Sequence, residues 1–141
     1  MERIVVGVDG SGSAQEALQW AVAEARVRNA TVEAVYAWHQ PFATGYAEMG
    51  ELYNLEHFEK EAQEALDAAV DAVDASGIPP VERRLVTGGA ASALVEEAKG
   101  ASMIVVGSRG RGGFSGLLLG SVSQQVAHHA PCPVVIIPRP E

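Results

Sequence analysis

Five short strand-like runs recur along the chain, each parted from the next by a stretch with helical spacing, and this alternation limits the fold more than any other feature. The runs are Ile4 to Val8, Thr31 to Trp38, Val81 to Val86, Met103 to Val106 and Pro133 to Ile137. The first is continuously apolar and ends in Gly7, Val8, Asp9, Gly10, the pattern of a strand buried on both faces. Between the runs, Ala14, Ala17, Leu18, Ala21, Val22 and Ala25 mark one helix, and Leu55, Phe58, Ala62, Leu66, Ala69 and Val73 a long acidic one. Ala91, Leu94, Val95 and Ala98 mark a third, and residues 121–129 make a fourth. Strands joined through helices require right-handed crossovers and a parallel sheet covered on both sides. The expected fold class is therefore α/β, an open, doubly wound, Rossmann-like five-stranded sheet whose ligands bind at the carboxyl ends of the strands.

Local signals set the boundaries. Ser13 with Glu16 three residues on reads as a capping box that starts the first helix. Asn29 and Ala30 connect it to the second strand, and the acidic helix stops at Gly77, Pro79 and Pro80. Residues 39–54, rich in Pro, Gly, Tyr and Met, read as a mobile connection longer than usual, of the kind that covers a site.

With 141 residues, 48% of them hydrophobic, the chain suffices for one domain over 1–141 with a real core. Its formal charge of −8 and lack of any basic run argue against nucleic-acid or membrane-surface partners. Residues 1–6 do not form the apolar core of a signal peptide, and no apolar run reaches transmembrane length. Cys132, the one cysteine, allows no internal disulfide. A reduced, cytoplasmic protein is expected.

The most informative segment is GSRGRGGFSGLLLGSVS, residues 107–123. Glycines at 107, 110, 112, 113, 116 and 120 let backbone N–H groups converge on a point without β-carbons in the way. Ser121 stands where the last helix begins, and the free N–H groups there favour an anion; Ser123 adds a second hydroxyl. Phosphate is the natural guest. No Gly-Lys-Ser/Thr follows the glycines, so this is not a P-loop, and Arg109 and Arg111 are the cations at hand.

The spacing Gly107, two residues, Gly110, nine residues, Gly120, Ser121 resembles the ATP-binding motif of the universal stress protein family. The resemblance runs from the IVVGVDGS opening through VVGSRGRGGFSGLLLGSVSQQVAHHAPCPVVIIP. It implies strand order 3-2-1-4-5, an adenine nucleotide alpha hydrolase-like arrangement with its switch point where Asp9 and Gly107 emerge. By the same resemblance Asp9 would lie beside the adenosine, the backbone of Ala37 would meet adenine, and Val106 would pack near the base. Gly107, Arg109, Gly110, Gly120, Ser121, Val122 and Ser123 would wrap ribose and phosphates, mostly through main-chain N–H groups, with Mg²⁺ or Mn²⁺ on the phosphates. The last strand, Val134, Val135, Ile136 and Ile137, reads as a sheet edge, and the resemblance makes it the seam of a homodimer. The expected function is that of an ATP-binding, nucleotide-dependent stress-response regulator acting on an unknown protein partner. A slow ATPase or self-phosphorylating protein, and a dimeric scaffold independent of nucleotide, are the alternatives; no general base for hydrolysis stands out.

Several residues have plainer roles open to them. Asp9 can close a turn through its side chain, and Arg109 and Arg111 can be solvated loop charges. His128 and His129 fall near a helix C-terminus, where a cation suits the dipole. Cys132 between two prolines reads as packing, Trp38 as packing or the edge of an adenine pocket, and Glu56, Glu59, Glu61 and Glu64 as a solvated helix face.

Overall fold

The computed structural model describes residues 1–39, 48–109 and 120–138, with side chains of residues 48–54 outside that description. Strands and helices alternate without exception through this range: β1 (Arg3–Val8), α1 (Gly12–Arg28), β2 (Thr31–Trp38), α2 (Glu48–Asp71), β3 (Glu82–Thr87), α3 (Ala90–Glu97), β4 (Met103–Gly107), α4 (Ser121–His129) and β5 (Val134–Ile137). The five strands form one parallel sheet in the order β3-β2-β1-β4-β5. The alternation reads out as the doubly wound α/β class, and β3 and β5 are its edges.

Side chains of a strand alternate between faces, and the two faces bury separate cores. Ile4, Val6, Val32, Ala34, Met103 and Val105 pack against Leu18, Ala21, Val22 and Leu66 of α1 and α2. Val5, Val35, Ile104 and Val106 pack on the other side against Leu94 and Val126 of α3 and α4. Both faces of β1 are therefore dry, which is why its sequence shows no polar alternation.

The start of α1 differs from the capping-box expectation. Ser11 is the N-cap, its Oγ accepting from the Ala14 N–H at 3.1 Å. Ser13 lies inside the first turn instead, its Oγ buried without a hydrogen-bond partner among the described residues. The Ser11 cap bond fixes the helix start two residues earlier than the capping-box reading. Ser11→Ala is expected to cost about 1 kcal/mol of stability by leaving that N–H uncapped, measurable as a lower urea midpoint with an unchanged slope.

The acidic helix also begins earlier than its apolar stripe, at Glu48 rather than after residue 54. Gly50 reads as a breaker, but one interior glycine costs only about 1 kcal/mol, and a helix of 24 residues tolerates it. Residues 40–47, the rest of the expected connection, lie outside the described residues. Phe58, expected on the inner stripe, is 40% exposed in a groove with Tyr36 and Trp38. Glu56, Glu59, Glu61 and Glu64 are exposed, as a solvated face requires.

Candidate functional site

Strand registers create the cleft. β1 pairs with β4 only as far as Val6 and Val105, whereas β1 stays paired with β2 to Val8 and Tyr36, and β4 with β5 to Gly107 and Ile137. Past Val6 and Val105 the two central strands part, at the switch point where one crossover runs toward β2 and the other toward β5. A cleft opens between them. Gly7 and Val8 of β1, Val35 and Ala37 of β2 and Val106 of β4 supply its strand walls. Ala90 and Leu94 of α3, with Val122 of α4, close the apolar side. Asp9, Ala14, Gly107, Arg109 and Ser123 form the more polar rim.

Two glycines permit this packing. A β-carbon on Gly7 would come within 2.9 Å of Leu94 Cδ1, so α3 lies over the cleft because position 7 has no side chain. Gly107 faces the first turn of α1: a β-carbon there would collide with Ser13 Oγ and approach the Ser13 carbonyl carbon and oxygen to 2.8 Å. Its conservation of space serves the contact between β4 and α1 as well as any ligand.

The segment between β4 and α4 is closed at its base by hydrogen bonds on one carbonyl. Ser108, itself hydrogen-bonded through its N–H to the Ile137 carbonyl at 2.8 Å, accepts the Gly120 N–H at 2.6 Å. Ser123 Oγ donates toward the same Ser108 carbonyl at 3.2 Å and toward that of Gly120 at 3.0 Å. The Ser123 hydroxyl, 2% exposed at residue level, has thus committed its one hydrogen to backbone. What Ser123 brings to the cleft is position and a main-chain N–H, not the second hydroxyl donor expected. Gly120 caps α4 with no side-chain hydrogen bond, so no side chain of the cap covers the first-turn N–H groups and the positive end of the helix dipole.

Asp9 plays the plainer role while lining the cleft. Its Oδ1 accepts the Ser11 N–H at 2.8 Å, closing an Asx turn in which Gly10 takes φ +83°. The turn delivers the chain from β1 into α1 at the mouth of the cleft.

Of the residues singled out in the sequence, Asp9, Ala37, Val106, Gly107, Arg109, Val122 and Ser123 come together around this one cleft. Gly120 and Ser121 stand next to it, as cap and first residue of α4. Gly110, like Arg111, lies outside the described residues. Trp38 is on the opposite face of the sheet from Ala37, in the groove with α2, and does not edge the cleft. Cys132 stands apart from it, and burial pushes its thiol pKa up against a smaller pull from Arg3, which makes it a poor nucleophile. Sequence reasoning missed Gly7, Val8, Ala14, Val35, Ala90 and Leu94. Val35 was within reach: it is two residues from Ala37 and so on the same strand face. Ala90 and Leu94 share one helical stripe, but only the fold shows which face it meets. Among the described residues, no group of three or more His, Cys, Asp or Glu can hold a metal ion, and no helix is long and apolar enough to cross a membrane.

Comparison with known proteins agrees with this architecture. The model of the universal stress protein family matches residues 1–138. A universal stress protein of Mycobacterium tuberculosis is 37% identical over 139 residues, covering 95% of this chain and 46% of the relative; the chain thus spans about half of that protein. One from Thermus aquaticus is 34% identical over 136 residues, covering 95% and 96%. Among solved structures, the universal stress protein UspA of Lactobacillus plantarum superposes with a TM-score of 0.84 at 26% identity, over 96% of this chain and 97% of that one. A universal stress protein in complex with cAMP gives 0.63 at 30% identity, with 96% of each chain covered. One from Archaeoglobus fulgidus in complex with dAMP gives 0.68 at 27% identity, over 97% and 98%.

Proposed function

Because the chain belongs to the universal stress protein family, we propose that the cleft between β1 and β4 binds an adenine nucleotide, ATP above all. The observation that carries this reading is the pairing, in one cleft, of an apolar slot with an anion-binding helix end. Val35, Leu94, Val106 and Val122 offer a flat base contact without polar competition, and the α4 N-terminus at Gly120 and Ser121 offers N–H groups to phosphate. Asp9 and the main chain of Ala37 contact the adenosine, and Gly107, Arg109, Gly110, Ser121, Val122 and Ser123 surround ribose and phosphates. Two structural neighbours were solved with cAMP and dAMP, which favours the adenine class.

A divalent ion fits this site only as a passenger. Among the described residues no group of three or more His, Cys, Asp or Glu can hold a metal ion; Mg²⁺ or Mn²⁺ would be held chiefly by the phosphates, with Asp9 the carboxylate at the cleft rim. The ion would supply charge neutralisation there. Binding without fast turnover is the favoured chemistry, because the Asp9 carboxylate already serves a turn and hydrolysis needs a group to position water. The physiological role is that of a nucleotide-dependent stress-response regulator in the cytoplasm, acting on a protein partner.

β5 is an edge of the sheet, and its residues Val134, Val135, Ile136 and Ile137 are half-buried. An unpaired apolar edge pairs readily with another chain, and the reading includes a homodimer through it. Sedimentation equilibrium is expected to give twice the 14.8 kDa chain mass, and Val135→Pro to return the single-chain mass.

Calorimetric titration with ATP and Mg²⁺, followed by chromatography of the nucleotide after hours at 25 °C, tests the proposal. Saturable binding with intact ATP is the expected result. Steady ADP release would make the protein an ATPase, and no binding heat at several temperatures would leave the scaffold reading.

A further inference from the structure

A buried carboxylate sits at the end of the sheet remote from the cleft. Glu33, third in β2 and 3% exposed, accepts a hydrogen bond on Oε2 from Arg3 Nη1 at 3.1 Å. Its Oε1 is buried and receives none. Arg84 Nε lies 3.8 Å from that oxygen and 3.6 Å from Oε2 of Glu97, too far to hydrogen-bond well with either. Glu97 is the last residue of α3, and Arg84 Nε thus lies within 4 Å of a carboxyl oxygen of both acids. Two acids gathered about one guanidinium, one of them buried, cannot both ionise cheaply, and one proton between them satisfies the orphaned oxygen.

The same cluster anchors α3. Arg3 donates Nη1 to the Glu97 carbonyl and Nη2 to the Lys99 carbonyl, both at 2.8 Å, which ties the C-terminal end of the helix to β1. The charged groups facing Glu33 are Arg3 from β1, Arg84 and the register partner Glu82 from β3, and Glu97 from α3. Lys99 pairs with Glu96. Leu94 in the middle of α3 and Ala90 at its other end line the cleft, Ala90 about 10 Å away along a helix that rises about 1.5 Å per residue.

We propose that Glu33 and Glu97 share one proton, and that its loss loosens the seat of α3 and so weakens ligand binding at the far end of that helix. The coupling rests on the nucleotide reading of the cleft; the shared proton does not. On ionisation an O–H bond breaks, the proton passes to solvent, and two carboxylates are left facing each other beside Arg84. Burial first, then the hydrogen bond and charge of Glu97, push the Glu33 pKa up to about 7 against the opposing pull of Arg3 and Arg84. An acid whose pKa is raised on folding binds more protons in the native state. Its contribution to stability is therefore full below the ordinary value near 4.5 and is lost as pH rises through about 7.

Nucleotide-free thermal melts from pH 5.5 to 8.5 test the proton pair. Wild type is expected to lose about 5 °C more than Glu97→Gln across that range, because the amide gives Glu33 Oε1 a donor without a second charge. Parallel profiles would overturn the pair. Should the variant fail to fold, carbon-detected NMR of wild-type Glu33 decides: a midpoint near 7 supports the pair, and one below 5 refutes it. For the coupling, ATP with Mg²⁺ is titrated at pH 6 and pH 8 into both proteins, so that the nucleotide's own ionisation cancels. Affinity is expected to fall about fivefold further in wild type than in Glu97→Gln. Equal falls would overturn the coupling. No ATP binding at either pH would overturn the nucleotide reading and the coupling together, while the melts and NMR decide the proton pair independently.

Discussion

Ser121→Asp is expected to reduce ATP affinity about a hundredfold while leaving the fold as stable as before or slightly more so. Ser121 is the first residue of α4 and is exposed, so a carboxylate there meets no packing constraint. Near the positive end of the helix dipole it stabilises α4 by about 0.3–1 kcal/mol. The same place is where the nucleotide phosphates are proposed to lie, and a fixed negative charge there both repels them and occupies the helix N–H groups. At about 1.4 kcal/mol per tenfold, a hundredfold loss corresponds to about 2.8 kcal/mol, within reach of one charge pair near 4 Å at a protein surface. Ser121→Asn, equal in shape and without the charge, should bind within about threefold of wild type by the same arithmetic. The opposite signs of the effects on melting and affinity separate a ligand role from a structural one, and calorimetry of both variants reads them. Equal affinity for wild type and Ser121→Asp would place the phosphates elsewhere.

Gly107→Ala should have the largest effect on stability of any single methyl addition in the cleft, about 3 kcal/mol, the upper end for overpacking. The new β-carbon meets Ser13 backbone at 2.8 Å as well as its Oγ. Rotating the Ser13 side chain away cannot relieve the backbone clash, so β4 and the first turn of α1 must separate. ATP affinity falls with it, since Asp9 and Ala14 lie on the α1 side of the cleft. Gly12→Ala is the matched control: nothing lies within 4 Å of its β-carbon, and its effect should stay within about 0.5 kcal/mol. Urea titration of the two variants measures the contrast.

The fold was legible because the central strands announce themselves. Continuous apolar runs such as Ile4 to Val8 arise only where helices cover both faces, and 3.6-residue spacing elsewhere leaves little choice of architecture. Boundaries were harder where two signals compete. Ser11 and Ser13 can both cap, and only the folded turn, in which Ser11 Oγ takes the Ala14 N–H, shows which one does; Gly50 looks like a stop and is absorbed in a long helix. In the cleft, residues at strand ends were legible from motif and position, whereas Ala90 and Leu94 reach it only through tertiary packing against Gly7. Ser123 shows the limit of residue type as a guide, because its hydroxyl is turned to the Ser108 and Gly120 carbonyls. Glu33 left a trace, one acid in the run Thr31 to Trp38, but its environment depends on Arg3, Arg84 and Glu97 from three other elements.

Amide NMR of the ¹⁵N-labelled protein titrated with ATP and Mg²⁺ tests the central claim most directly. The account predicts saturable shifts at Asp9, Ala37, Gly107, Ser121, Val122 and Ser123, with the groove formed by Tyr36, Trp38 and Phe58 on the other face unmoved. Shifts confined to that groove, or no shifts at millimolar nucleotide, would contradict it.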